Sequence, residues 1–240
     1  MRLPPLVKGT LLQRRQRFLA DVRLASGEQV TAHCPNTGSM RGCNEPGRPV
    51  LLSVHTNPKR KLPYTWELIE LEPTLVGINT MNTNRIVREA LQSRAIEKYT
   101  AYDRIKTEVK INEATRLDFL LQGPKEPPCY MEVKNCTLVR SGTAGFPDAV
   151  SRRGAKHLHE LIALRRAGNR AAVLFLVQRT DAFRFRPAAD IDADYAGWLH
   201  TAYHEGVELV CYDVRFDLPA ITINEPLPVE LGAVKEGNEA

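Results

Sequence analysis

The sequence predicts an α+β protein of the broader α/β class in two parts, a small closed β-barrel followed by a larger α/β domain. Strand patterns fill roughly the first 75 residues, with no helical pattern among them. From about residue 80 onwards, helical patterns alternate with strand patterns. A chain of 240 residues is long enough for two such domains. We therefore expect a first domain over residues 1–80 and a second over residues 81–230, with residues 231–240 as a disordered tail.

The composition is that of an ordinary globular protein, with 43% hydrophobic and 25% charged residues. No apolar run approaches the roughly 18 residues of a membrane span, and the first residues lack the apolar stretch of a signal peptide. Five cysteines without C-x-x-C spacing favour free thiols over disulfides or a zinc site. We therefore expect a cytoplasmic protein. Its net charge of +5 only mildly favours a polyanionic partner.

In the first domain, short apolar segments alternate with turn-forming residues. The predicted strands cover residues 6–12, 18–24, 29–34, 50–54 and 64–71. Ser26-Gly27-Glu28 between the second and third strands is a good hairpin turn. Because closure removes exposed strand edges, a small barrel of the OB type is the economical arrangement for these strands.

Two groups of basic residues lie in loops of this barrel, beside the aromatic Tyr64. They are Arg14, Arg15, Arg17, Lys59, Arg60 and Lys61. Cations beside aromatic rings suit contact with phosphates and stacking on bases. A solvated turn around core aromatics would have the same pattern, but two such groups in one small barrel favour a nucleic-acid partner. The polar loop 35–42 is either a plain turn or a set of backbone N–H groups for phosphate.

In the second domain, the predicted order is helix, three antiparallel strands, helix, strand, helix, strand. The helices cover residues 85–98, 149–167 and 192–205, and the strands cover residues 106–111, 117–121, 130–134, 170–178, 207–212 and 220–223. The continuous apolar run of residues 170–178 is typical of a strand that is buried on both faces. This order of elements is that of the restriction-endonuclease-like α/β fold.

A predicted hairpin carries the chemistry of this domain. Glu132 and Lys134 share one face of a strand, because successive side chains alternate. If the register allows, Asp118 on the preceding strand converges with them. Two neighbouring carboxylates can share a hard divalent cation, and an adjacent lysine can orient water or stabilise charge on a phosphate. The same residues also suit a half-exposed strand with a surface Glu–Lys pair, but the order of elements favours a metal site.

Further candidate residues lie on neighbouring elements. Glu89 lies at the edge of the apolar stripe of the first helix, and Gln178 ends the buried strand. The first half of the second helix carries basic residues, which are Arg152, Arg153, Lys156 and His157. Cations oppose the macrodipole at a helix N-terminus, so a bound anion would explain them, although a solvated basic face is an alternative. His157 and His159 are two residues apart and make a poor metal pair.

Several segments resemble the sugar fermentation stimulation protein family across nearly the whole chain. They are residues 17–22, 33–40, 57–67, 132–138 and 146–158. The resemblance implies an N-terminal OB-fold joined to a PD-(D/E)XK nuclease-like domain. It also implies non-specific DNA binding and a regulatory role in sugar (maltose) metabolism.

Two functional hypotheses follow. In the first, the protein is a DNA phosphodiesterase that depends on Mg²⁺ or Mn²⁺. Asp118, Glu132 and the carbonyl of Val133 would bind the metal, Glu89 and Gln178 would support them, and Lys134 would position the attacking water. In the second, it is a catalytically silent transcriptional regulator that binds DNA largely independently of sequence. The sequence leaves the oligomeric state open, a dimer included, and neither hypothesis involves a membrane.

Overall fold

The first five strands form a closed barrel in the computed structural model, which describes residues 1–232. The strands are β1 (Leu6–Arg15), β2 (Leu19–Leu24), β3 (Gln29–His33), β4 (Pro49–Val54) and β5 (Tyr64–Leu71), and β6 (Thr74–Gly77) adds to them. β1 pairs with β2 and β4, β2 with β3, and β3 in parallel with β5, which pairs with β4 and closes the ring. β6 extends β5 as an antiparallel neighbour. This ring has the strand connections of an OB-fold.

Alternating apolar side chains fill the barrel. Leu11, Val22 and Trp66 are fully buried in its core. The Trp66 indole N–H donates to the Leu68 carbonyl at 3.0 Å, so the largest buried side chain leaves no unpaired donor. The sequence did not predict β6, because four residues after a turn carry too little periodicity to be recognised.

Three helices and two sheets make up the rest of the described chain. The helices are α1 (Met81–Gln92), α2 (Arg152–Arg166) and α3 (Ala193–His204), with a short 3-10 helix at Glu97–Tyr99. The strands are β7 (Arg104–Asn112), β8 (Thr115–Gln122), β9 (Cys129–Cys136), β10 (Leu138–Arg140), β11 (Thr143–Phe146), β12 (Arg170–Val177), β13 (Arg184–Pro187), β14 (Glu208–Asp217) and β15 (Ala220–Pro226). The large sheet has the order β15-β14-β12-β9-β8-β7.

The large sheet separates two apolar cores. α1 packs on one face, against alternate residues of β12 that include Leu174 and Leu176. α2 and α3 pack on the other face, against residues that include Val173 and Phe175. β12 pairs in parallel with both β9 and β14. Its burial on both faces explains why its sequence is continuously apolar. The predicted fold class, a barrel followed by an α/β domain, is confirmed.

The helix boundaries differ from prediction where polar side chains serve tertiary contacts. α1 was predicted from residue 85 but begins at Met81. Asn82 and Thr83 are buried in its first turn, where Asn82 donates to Glu67 at 2.8 Å and Thr83 donates to Asn135 at 2.9 Å. On α3, the aromatic Tyr203 does not join the apolar core and is 54% exposed.

A small sheet and the last described residues complete the fold. The small sheet has the order β10-β11-β13, and the parallel pairing of β11 with β13 joins segments distant in sequence. This pairing was not predicted, because its strands are only three or four residues long. Val229 forms an isolated β-bridge with Phe185. Leu231 packs against the apolar core that α2 and α3 cover. Of the predicted disordered tail, residues 233–240 lie outside the described residues.

Two further expectations concern cysteines and membranes. All five cysteines lie in the described part of the chain as buried free thiols. Within residues 1–232, no helix has the length and apolar character needed to span a bilayer.

Candidate functional site

The candidate site lies where β8 and β9 separate. Their pairing runs from Leu121 opposite Cys129 to Phe119 opposite Met131 and stops there. Asp118 is the next residue, and its carboxylate takes the place of the missing strand pairing. Its Oδ2 accepts a hydrogen bond from the backbone N–H of Val133 at 2.7 Å.

A second hydrogen bond reaches Asp118 from α1. Asn84 Nδ2 donates to Asp118 Oδ1 at 2.7 Å. Both carboxylate oxygens are therefore held by donors from different elements, and α1 and β9 fix the orientation of the side chain between them. Each oxygen retains a lone pair for a further ligand.

Glu132 and Lys134 lie on the face of β9 that α2 covers, and both are buried. Lys134 Nζ donates to Glu132 Oε1 at 2.7 Å. His157 of α2 contacts the same oxygen through Nδ1, and this nitrogen lies 3.4 Å from Lys134 Nζ. The other oxygen, Oε2, is buried and has no hydrogen-bond partner among the described residues. Glu132 is therefore held on one side only.

Burial and mutual repulsion shape the charges of the two carboxyl groups. Burial, and then the negative charge of Glu132, raise the pKa of Asp118 to about 6. Burial also acts to raise the pKa of Glu132, but Lys134 and His157 outweigh it and hold that pKa below its ordinary value. At neutral pH the site thus contains two carboxylates, one of which gains its charge against an unfavourable environment.

The donor set fits a hard divalent cation. Such ions take carboxylate, carbonyl and water oxygens as ligands. A nearby positive charge would pair with the buried Oε2 of Glu132 and would stabilise the ionised form of Asp118, whose pKa is raised. Across residues 1–232, no three side chains of the His, Cys, Asp and Glu types converge as a metal cage. A cation here would therefore rely on two carboxylates, water and the backbone carbonyl predicted at Val133.

Glu89 does not reach this site, contrary to prediction. Its carboxylate lies 2.7 Å from the amino group of Met1, and its side chain is 53% exposed. Asn84 precedes it by five residues, which places the two side chains roughly 140° apart around the helix. Asn84 therefore faces Asp118, while Glu89 faces the opposite end of the domain.

Gln178 was predicted beside the carboxylates but lies on the other face of β9. Its Nε2 donates to Asn135 Oδ1 at 2.5 Å and to Thr83 Oγ1 at 3.0 Å, and its backbone carbonyl accepts from Gly77 of the barrel at 2.8 Å. Because Asn135 and Lys134 are neighbours on a strand, their side chains point to opposite faces. Gln178 therefore joins the barrel to the sheet.

A basic groove of about 790 Å³ opens beside the site, between the β7–β8 turn and α2. The predicted arginine and lysine residues of α2 line it, together with two basic residues of the β7–β8 hairpin that were not predicted to bind a ligand. The five are Lys110, Arg116, Arg152, Arg153 and Lys156. Lys110 is also paired with Glu113, 2.5 Å away, at the rim. His157 lines the inner end of the groove and connects it to Glu132.

The basic residues of the barrel are not equivalent. The Arg14 guanidinium donates to backbone carbonyls of Arg17, Asn36 and Gly38 at 2.8–3.0 Å, so it holds the polar loop rather than a ligand. Arg15 is paired with Asp21 at 2.8 Å. These contacts give Arg14 and Arg15 partners within the barrel, and their role in nucleic-acid binding stays a prediction.

The other predicted barrel residues keep more surface. Arg17, Lys59 and Lys61 are exposed. Arg60 donates to Thr65 at 3.1 Å, and Tyr64 packs partly against the barrel core. The barrel therefore presents three freely exposed cations of the six predicted.

Two residues that contact the site, Asn84 and His157, were not predicted to do so. His157 was considered as one of the basic residues at the start of the second helix and as a poor metal pair with His159, not as a partner of Glu132. The helical spacing of Gly154, His157, Leu158 and Leu161 would have placed it on the buried face of α2, which is where it lies. No comparable signal marks Asn84, which is one of several polar residues at the start of α1.

Comparison with known proteins agrees with this architecture. The family model described as the SfsA N-terminal OB domain matches residues 12–78, and the one described as the sugar fermentation stimulation protein RE domain matches residues 81–219. The chain is 49% identical over 228 residues to the sugar fermentation stimulation protein homolog of Geobacter sulfurreducens, covering 95% of this chain and 97% of that one. The homolog of Maricaulis maris is also 49% identical, over 227 residues, with 94% and 97% covered.

A solved structure is similar over the same extent. The structure of Pyrococcus furiosus SfsA in complex with Ca²⁺ has a TM-score of 0.88 and 27% sequence identity, and the match covers 96% of this chain and 98% of that one. Similarity of sequence and of structure thus extends through both the barrel and the α/β domain. The chain belongs to the sugar fermentation stimulation protein family.

Proposed function

We propose that this protein binds DNA largely independently of sequence and hydrolyses DNA phosphodiesters at the site formed by Asp118, Glu132 and Lys134. One observation carries the proposal. Asp118 lies close enough to Glu132 and Lys134 for their charges to act on it, and His157 connects this cluster to a groove lined by five cations. A polyanion is attracted to the groove, and the polar cluster lies where its backbone would pass.

Electrostatics supports DNA as the polyanion. Lysine and arginine side chains that neutralise phosphates release condensed counterions, which supplies affinity without reading bases. The groove cations are long, flexible side chains on a helix and a hairpin. Binding is therefore expected to be nearly independent of sequence and to weaken steeply with salt.

A divalent cation fits the chemistry of the site. Asp118, Glu132 and the Val133 carbonyl would hold it, and the Ca²⁺ complex of the similar Pyrococcus furiosus structure supports a divalent ion. We propose Mg²⁺ or Mn²⁺ as the ion in the working protein. When bound, such an ion polarises a phosphate and stabilises its developing charge.

The residues of the chain itself divide the remaining work. Lys134 points its ammonium group at the site and can hold the attacking water or the charge on phosphate. Glu132 fixes Lys134 through the 2.7 Å contact, and His157 fixes Glu132 from α2. Asn84 orients Asp118 from α1. The cluster is thus preorganised by two helices.

The proposal is tested by incubating the purified protein with plasmid and single-stranded DNA in the presence of Mn²⁺. We expect cleavage that Lys134→Ala abolishes and that Lys125→Ala leaves unchanged. Lys125 is a suitable control because it is exposed in the β8–β9 loop, at the far end of the hairpin. Cleavage by Lys134→Ala at the wild-type rate would show that the activity belongs to a contaminant.

A catalytically silent, DNA-binding transcriptional regulator is the second candidate, and one observation favours it. Glu132 Oε1 is already engaged by Lys134 and His157, so part of the carboxylate charge is balanced without a metal. The family name connects this candidate to sugar metabolism, and we infer a regulatory role there, in maltose use above all. It predicts DNA affinity that is the same with Ca²⁺ and with a chelator, whereas a working metal site predicts tighter binding with Ca²⁺.

A further inference from the structure

A second, smaller cavity lies beside Lys134. Its volume is about 220 Å³, and it lies between the barrel loop and the ends of β9 and β11. Lys134 lines this cavity, His157 lines the groove, and the two side chains are in contact. The buried Glu132–Lys134–His157 cluster therefore separates two adjoining spaces of very different size.

The roof of the small cavity is the barrel loop of residues 36–38, and it is held firmly. The Arg14 guanidinium donates to the carbonyls of Asn36 and Gly38 in this loop and of Ser39 just after it. Asp148 accepts from the Met40 N–H at 2.9 Å and from the Ser39 hydroxyl at 3.1 Å. Thr80 donates to the Pro35 carbonyl at 2.9 Å. The roof is thus tied both to the barrel and to the second domain.

Close packing around Gly38 also leaves the loop of residues 36–38 little room to move. A Cβ atom on Gly38 would lie 2.9 Å from an Asp148 carboxylate oxygen and 3.0 Å from Asn36 Oδ1. The loop and Asp148 are therefore already in contact. A ligand must fit the cavity as it is, because widening it would break several of these hydrogen bonds together.

The lining of the cavity suits a nucleotide. Phe146, whose ring also contacts Phe175 and Tyr195, lies in the lining with Lys134 Nζ 5.9 Å from its centre. The polar residues Thr37, Asn135 and Thr137 line the cavity as well. Aromatic rings stack on any base, and polar side chains bind the base edges or the sugar. The volume is below the ~300–1,000 Å³ of sites for drug-sized ligands, so it admits one ring system and excludes a stacked pair.

We propose that this cavity binds one unpaired nucleotide adjacent to the phosphate held at Asp118, Glu132 and Lys134. The protein then prefers single strands, strand ends and extrahelical nucleotides over continuous duplex DNA. This inference rests on the proposed function and specifies its substrate class. A base within a duplex stays stacked on its neighbours, and the fixed roof leaves no space for them.

Equilibrium binding in Ca²⁺ tests the preference. Three probes are compared: a single-stranded oligonucleotide, the blunt duplex of the same sequence, and that duplex with one extrahelical nucleotide. We expect the first and third to bind about tenfold more tightly than the blunt duplex, as stacking of one base implies. Equal affinity for all three would overturn the inference while leaving DNA binding intact. Absence of binding to any probe would instead overturn the proposed function itself.

A variant and a fluorescent base locate the effect. Thr37→Leu places an aliphatic group at the mouth of the cavity and should remove most of the tenfold preference without weakening duplex binding. Thr201→Leu, on the exposed face of α3, is the matched control and should change neither. Because a leucine at an exposed position can turn outward, 2-aminopurine is also moved along the single strand. Fluorescence that changes at one position only supports the cavity, and a uniform response along the strand overturns it.

Discussion

Replacing Asp118 by asparagine should make the protein more stable at neutral pH. The carboxylate is ionised there although burial and Glu132 raise its pKa to about 6, from 3.8 in an exposed state. A difference of about 2 pK units corresponds to about 3 kcal/mol of folding free energy. In the variant, Oδ1 can still accept from Val133, and Nδ2 can donate to Asn84 once the Asn84 amide rotates. Asn84 Nδ2 then loses its acceptor, but Asn84 is only half-buried and this amide can donate to water. The relief of charge should therefore dominate.

The sign of the effect gives a pH signature. Below about pH 3 the carboxyl group is largely protonated in both the folded and the unfolded protein. Between pH 4 and about 6 the unfolded chain ionises while the folded protein keeps its proton, so the wild type loses stability relative to Asp118→Asn as the pH rises. The difference in unfolding free energy should therefore grow from about 0.5 kcal/mol at pH 4 to about 3 kcal/mol at pH 7.5.

Urea denaturation with a chelator present, repeated from pH 4 to pH 8, measures this difference. The control is Asp103→Asn, because Asp103 is exposed and lies outside the site. Its difference from the wild type should stay within about 0.5 kcal/mol throughout. A variant Asp118→Asn that is less stable than wild type at pH 7.5, or a difference that does not vary with pH, would refute the electrostatic reasoning.

Three further predictions address the groove, the loop and α1. Lys156→Glu should weaken DNA binding similarly for all sequences and flatten its salt dependence, whereas Lys125→Glu should change little; a shift in sequence preference would contradict backbone contact. Arg14→Ala should cost about 1–3 kcal/mol in thermal unfolding, because loop carbonyls lose their donor, and an effect no larger than that of Arg17→Ala would argue against this support. Glu89→Gln should leave Ca²⁺ affinity unchanged in calorimetry, and a tenfold loss would place Glu89 at the metal after all.

Much of the fold was predictable because its longer helices and strands have a clear local periodicity of apolar residues. The alternation of the barrel strands, the continuous apolar run of β12 and the helical stripes each depend on neighbouring residues alone. Elements of three or four residues, such as β6 and β10, carry too few positions for a period to be recognised. The start of α1 was misplaced because Asn82 and Thr83, in its first turn, are polar residues that bind distant partners and add nothing to the apolar stripe.

The core of the candidate site was also predictable, and its surroundings were not. Glu132 and Lys134 share a face by strand alternation, which is a local property. Asn84 and His157 reach the carboxylates only because α1 and α2 are packed at particular rotations on the two faces of the sheet. Glu89 failed as a candidate for the same reason, since a few residues along a helix change the direction of a side chain completely.

The amino-acid sequence by itself determined the two-part architecture, the order of the longer elements and the three central residues of the candidate site. The tertiary structure alone decided where β8 leaves β9, which cations line the groove, and that Arg14 donates to the carbonyls of a loop. The physical reason is range. Periodicity and turn chemistry act over a few residues, whereas the position of Asp118 between Asn84 and the Val133 N–H depends on contacts between segments 15 and 34 residues apart in the chain.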